Sequence, residues 1–164
     1  MFGFEWAGTN HIGNTKLLHS RQKRIGVFAS RSNDPAIDIF REQWAVQIGR
    51  EHKCIIGTFH SKAEKEILYF VLKYGGSAVW LMGCSIPDKL PDFCKSAIDR
   101  NKLLIISCFQ QEHHSFATAR FCAHLARTFS KQSVIWSMKE GGLTHSIYRI
   151  SKTRRYKVQI MNEV

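Results

Sequence analysis

The 164-residue chain contains no run of 18 or more apolar residues, so the sequence predicts no membrane-spanning helix. The opening stretch Met1-Phe2-Gly3-Phe4-Glu5-Trp6 lacks the basic-then-apolar layout of a secretory signal. Cys54, Cys84, Cys94, Cys108 and Cys122 are odd in number and include no C-x-x-C pair. Their spacing argues against a disulfide framework or a zinc site and makes a reducing cytoplasm the expected compartment. The eight histidines offer no H-x-x-x-H ligand spacing, so no metal is expected. No G-x-G-x-x-G occurs, which counts against a dinucleotide cofactor, and none is predicted. No Ser/His/Asp or Cys/His set has the spacing of a nucleophile held against its base, so a binding protein is expected before an enzyme. Acidic residues are scarce, 13 against 24 Lys+Arg, leaving a formal charge of +11. A field of that sign attracts polyanions: nucleic acid, nucleotides or an anionic membrane surface.

What is present reads as globular. Hydrophobic residues make up 44% of the chain and charged residues 23%. The length suits one domain able to bury a core unaided. Residues 1–24 read as an N-terminal extension, with Phe2, Phe4 and Trp6 alternating as in a short strand or extended arm. From residue 25 to 164 a regular rhythm follows. Ile25-Gly26-Val27-Phe28-Ala29 reads as a buried strand, and Pro35 suits the first turn of a helix carrying Ile37, Phe40, Trp44 and Ile48. Cys54-Ile55-Ile56 is a second strand, and Ser61 with Glu64 forms a capping box that opens a second helix. Gly75-Gly76 stops that helix before the strand Ala78-Val79-Trp80-Leu81-Met82. A short helix with Cys94 and Ala97, the strand Leu103-Leu104-Ile105-Ile106 and a helix opened by Ser115 follow. Val134-Ile135-Trp136, a helix after Gly141-Gly142, and an alternating edge strand from Tyr156 to Ile160 complete the pattern. Strands apolar on both faces that alternate with helices predict a three-layer αβα, Rossmann-like fold with a mostly parallel sheet.

Ligands of such sheets bind beyond the carboxyl ends of the strands, where strand order reverses. Three loops therefore carry the candidate phosphate-binding residues. In the first, Ser30 and Arg31 lie between a strand and a helix, where free N–H groups and a guanidinium can hold an anion. In the second, Gly57 permits close backbone approach, while Thr58, His60 and Lys62 can donate to phosphate oxygens. Phe59 is a candidate base-stacking platform there, and Glu64 is explained by the capping box. In the third, Gly141, Gly142 and Thr144 form a turn able to cradle an anion. Arg120, His124 and Arg127 share one helix face, placed opposite Phe121, Leu125 and Phe129, as a secondary basic surface that could track a nucleic-acid backbone. Lys152, Arg154, Arg155 and Lys157 form a further basic run.

Taken in order, these stretches resemble DNA-processing protein A (DprA), within the SLOG group of Rossmann-like folds, from about residue 25 to residue 160. Val27-Phe28-Ala29-Ser30-Arg31 stands where that family has an apolar strand ending in Gly-Ser-Arg. Ile56-Gly57 stands where it has Ser-Gly and a short loop. The stretch from Tyr74-Gly75-Gly76 through Gly83, with Pro87 and Pro91 beyond, is similar to its Gly-Gly-led strand and following loop. Glu140-Gly141-Gly142-Leu143-Thr144 is similar to its Ser-Gly-Ser-Leu-x-Thr turn. Cys122-Ala123-His124 stands where the family carries Arg-Asn-Arg. The resemblance implies a non-enzymatic domain that holds single-stranded DNA in a basic pocket and forms a homodimer. Loading of a RecA-type recombinase, a property of full-length members, is left out of the expectation because the Arg-Asn-Arg signature is replaced. The alternative is a SLOG-type sensor or enzyme for a nucleotide or nucleotide derivative. Phosphoribohydrolases of the same fold use Pro-Gly-Gly-x-Gly-Thr-x-x-Glu, which this chain does not match: Glu140 replaces the proline and Ile147 stands three beyond Thr144.

Overall fold

The computed structural model describes residues 10–19, 21–31 and 34–161. The expected alternation of Phe2, Phe4 and Trp6 lies outside the described residues. Among the described residues seven strands form one sheet: β1 (Asn10–Gly13), β2 (Arg24–Ala29), β3 (Cys54–Gly57), β4 (Ser77–Met82), β5 (Leu103–Ser107), β6 (Gln132–Trp136) and β7 (Val158–Ile160). Five helices alternate with them: α1 (Pro35–Arg50), α2 (Lys62–Lys73), α3 (Asp92–Asp99), α4 (Phe116–Thr128) and α5 (Leu143–Thr153). The strand order is β1-β5-β4-β3-β2-β6-β7. All neighbours are parallel except β1, which pairs antiparallel with β5. This is the Rossmann-like three-layer arrangement, with the chain reversing its direction of travel between β2 and β6.

Local chemistry accounts for most element boundaries. Asp34 accepts a hydrogen bond from the Ala36 N–H at 2.9 Å and Pro35 fills the first turn of α1. Ser61 and Glu64 close a reciprocal capping box on α2, and Gly75, at φ +104°, ends that helix. One core lies under α1, α2 and α3, built on Val27, Ile55, Ile67, Leu68, Val71 and Ile105. The other lies under α4 and α5, built on Phe28, Ile56, Leu81, Leu104, Ala123 and Ile147. Burial of each Val, Leu, Ile or Phe side chain among these contributes about 1.5–3 kcal/mol.

Part of the stretch expected to stand apart as an N-terminal arm belongs to the sheet. β1 pairs with β5, and a short 3-10 helix (Thr15–Leu18) buries Leu17 and Leu18 in the second core. Arg24 secures this segment. Its guanidinium donates to the carbonyls of Leu17 and His19 at 3.0 Å and of Phe129 at 2.7 Å. The edge strand is shorter than expected, because β7 starts at Val158 and Tyr156 lies outside it. The five cysteines are unpaired, and no described helix is long and apolar enough to cross a membrane.

Candidate functional site

The adjacency of β2 and β6 brings together loops that lie far apart in sequence. The Ser30 N–H donates to the Trp136 carbonyl at 3.0 Å, continuing the β2–β6 ladder one step past the end of β2. Ser30 Oγ and Thr144 Oγ1 share a hydrogen bond of 2.8 Å, and Thr144 Oγ1 also accepts from the Lys139 N–H at 3.1 Å. The loop after β2 is thereby tied to the first turn of α5.

The loop after β3 is tied in from the other side. Ser61 Oγ donates to the Ala29 carbonyl at 3.1 Å. The Glu64 carboxyl accepts from the Ala29 N–H at 3.3 Å and from the Ser61 N–H at 3.1 Å. Burial pushes the Glu64 pKa above the ordinary carboxylate range, against the pull of those N–H donors. Glu64 thus works as a cap and strut joining α2 to the end of β2.

These ties frame a crevice of about 170 Å³ lined by Ser30, Thr58, His60, Ser61, Leu143 and Thr144, with Ala119 and Ala123 of α4 as its far wall. The alanines let α4 approach the strand ends closely. Phe59, just past β3, and Ser137, just past β6, both have left-handed backbone, at φ 43° and 54°. Such residues cost roughly 1–3 kcal/mol each and concentrate at functional sites. His60 packs against His114 with ring centroids 4.4 Å apart. Burial, then the neighbouring His60 and Lys65, lowers the His114 pKa.

The other expected residues divide between two flanking depressions. Arg31 and Lys62, both exposed, line one of about 640 Å³ that also holds Asp38, Glu66 and the buried Arg41. Arg41 is paired with Asp38 at 2.9 Å and with Glu66 at 3.0 Å. Gly141 and Gly142 line the other, between α4 and α5, together with Arg120. Ser61 is common to the crevice and the first depression. Gly142 of the second depression directly precedes Leu143 of the crevice. The second depression starts at the carboxyl end of the sheet and runs along α5 to Arg154.

Two expectations require correction, and one expected residue has a packing role of its own. Phe59 is fully buried, edge-on to Trp80 with ring centroids 6.1 Å apart, and its left-handed backbone turns the ring into the core, away from any base. Gly57 serves the protein's own packing: a Cβ there would come within 2.9 Å of the Val27 carbonyl. Arg127 is only 5% exposed and stacks on Tyr156 at 4.5 Å, so it is not part of a solvated basic face, whereas Phe121, expected on the buried side, is 52% exposed. The reason is that α4 seats the small residues Cys122, Ala123 and Ala126 on the sheet and lies beside α5, which covers a second side. Arg120 remains exposed and His124 is half-buried.

One residue escaped the sequence reading. Phe116, at the start of α4, is 73% exposed, and it lies one turn ahead of the crevice residue Ala119. An aromatic directly after the Ser115 cap, where the core-facing stripe has not yet begun, is the signal that could have found it.

No protein-family model matches the chain, and no curated protein matches it. Solved structures do. DNA processing protein A from Helicobacter pylori, described for its single-stranded DNA binding mode, aligns at TM-score 0.75 and 15% identity, over 99% of this chain and 77% of that one. DprA from Streptococcus pneumoniae aligns at TM-score 0.75 and 14% identity, over 95% of this chain and 56% of that one. The molybdenum cofactor binding protein from Rippkaea orientalis aligns at TM-score 0.61 and 14% identity, over 88% of this chain and 78% of that one. The chain shares their fold. It spans little more than half the length of the Streptococcus protein.

Proposed function

We infer that this chain is a DprA-like single-stranded DNA-binding protein that acts in DNA processing, uptake or recombination. The observation that carries the reading is the crevice at the β2–β6 switch, flanked by Arg31 and Lys62 on one side and by the Gly141-Gly142 turn and Arg120 on the other. Ser30, Thr58, His60 and Thr144 offer hydroxyl and imidazole groups to phosphate oxygens, and the exposed Phe116 offers a ring to a base. The net charge of +11 supports a polyanionic ligand, and the fold shared with the Helicobacter protein supports a single strand. Homodimerisation and a cytoplasmic setting belong to the same reading, the first testable by sedimentation.

A second reading is a binding site for a free nucleotide or nucleotide derivative. The small volume of the crevice, about 170 Å³, favours it, as does the fold shared with the molybdenum cofactor binding protein. Titration with single- and double-stranded oligonucleotides at two salt concentrations tests the first reading. Affinity that depends on length and falls steeply with salt supports it, and binding of neither form ends it. Saturable thermal stabilisation by one nucleotide, without oligonucleotide binding, favours the second.

A further inference from the structure

We propose that the groove between α4 and α5 is a second phosphate-binding subsite, which takes up the backbone of the same DNA strand beyond the strand-end crevice. This rests on the single-stranded DNA reading. The groove has a volume of about 390 Å³ and is lined by Arg120 of α4 and by Arg149 and Arg154 at the far end of α5, with the Gly141-Gly142 turn at its near end. Among the described residues no carboxylate lines it. Three guanidiniums facing one concavity repel each other, and a polyanion removes that penalty.

A second observation points the same way. Arg127, one helical turn beyond His124 on α4, is buried, yet its Nε and Nη1 have no hydrogen-bond partner. Its Nη2 reaches the Thr128 hydroxyl at 3.4 Å, and the guanidinium stacks on the Tyr156 ring at 4.5 Å. A buried guanidinium normally has an anion beside it. Among the described residues no carboxylate pairs with Arg127, and after burial Arg127, Arg120 and Arg154 are what lower the pKa of the adjacent His124. Positive charge not paired with a carboxylate therefore lies beside the groove as well as along it. Gly141, at φ +76°, has nothing within 4 Å of the position a Cβ would take, and Gly142 caps α5 without a side-chain hydrogen bond. The turn leaves room for a ligand beside Gly141, while its own N–H groups are used internally, Gly141 donating to His145 Nδ1 and Gly142 to the Lys139 carbonyl, each at 3.0 Å, so the arginines carry the recognition. Because Gly142 and Leu143 are consecutive, a strand leaving the crevice over the start of α5 runs directly into the groove.

The test is an Arg149→Gln/Arg154→Gln variant, both positions being exposed, titrated with a thymidine dinucleotide and with an oligonucleotide of about 12 nucleotides. Loss of two phosphate contacts is expected to weaken the longer ligand about tenfold and to reduce the slope of log K against log salt by about 1.4, with dinucleotide affinity unchanged. Lys89→Gln/Lys95→Gln, on and just before α3 across the sheet, removes the same charge and should change either affinity less than about twofold. If the two double variants weaken the longer ligand equally, or neither does, the subsite is overturned. An Arg31→Ala/Lys62→Ala variant that loses binding in that case shows that the crevice reading survives alone. Failure of the wild-type protein to bind any oligonucleotide overturns both.

Discussion

Ser30 and Thr144 are 114 positions apart in the chain, and their hydroxyls lie 2.8 Å apart. This hydrogen bond spans the point where strand order reverses and joins the two loops most able to hold a phosphate. Thr144 is 6% exposed, and its hydroxyl also receives the Lys139 N–H. Thr144→Val leaves that N–H and the Ser30 hydroxyl without their partner. It should cost about 1–3 kcal/mol in urea denaturation and weaken oligonucleotide binding. Thr144→Ser should restore most of both.

Arg31 and Lys62 are exposed, and neither makes an ion pair among the described residues. Replacing both with alanine should change unfolding free energy by less than about 0.5 kcal/mol each. Binding of single strands should weaken, with the salt slope reduced by about 1.4 for two lost phosphate contacts. A double variant that binds as tightly as wild type removes these residues from the site.

Two phenylalanines should respond in opposite ways. Phe59 is fully buried, so Phe59→Ala should cost about 3–5 kcal/mol of stability. Phe116 is 73% exposed, so Phe116→Ala should leave stability nearly unchanged while costing about 1–3 kcal/mol of oligonucleotide affinity. Denaturation and fluorescence anisotropy on the same two variants separate a core ring from a stacking ring.

Burial raises the Glu64 pKa, so the folded protein holds that proton more tightly than the unfolded chain. The resulting stabilisation is present below the unfolded-state value, about 4.3, and is lost as pH rises through the higher folded-state value. Glu64→Gln removes this dependence. The difference in unfolding free energy between wild type and variant should therefore favour wild type most in acid and decline above about pH 4.3. A difference that stays level from acid to neutral pH would show that the carboxyl is not shifted.

The alternation of strands and helices was legible in the residues alone because its causes are local. Pro35 and Asp34 start α1, Ser61 and Glu64 cap α2, Gly75 ends it, and the apolar runs are too short and too β-branched for anything but buried strands. The positive charge and the three loops that carry the candidate site were legible for the same reason. Strand order was not, since no local interaction tells β6 to lie beside β2. That long-range choice alone unites Ser30 with Thr144 and opens the crevice between them. Nor could helical periodicity show that α4 is covered on two sides. The packing of α4 beside α5 and the Tyr156 ring goes with a buried Arg127 and an exposed Phe121, and leaves Arg120 alone of the expected stripe lining an arginine-rich groove. The same holds for Phe59, whose direction depends on a left-handed backbone and on edge-on packing against Trp80 that only the folded sheet supplies. Short-range physics determined the elements and their charge, and the packing of distant segments decided which side chains face a ligand.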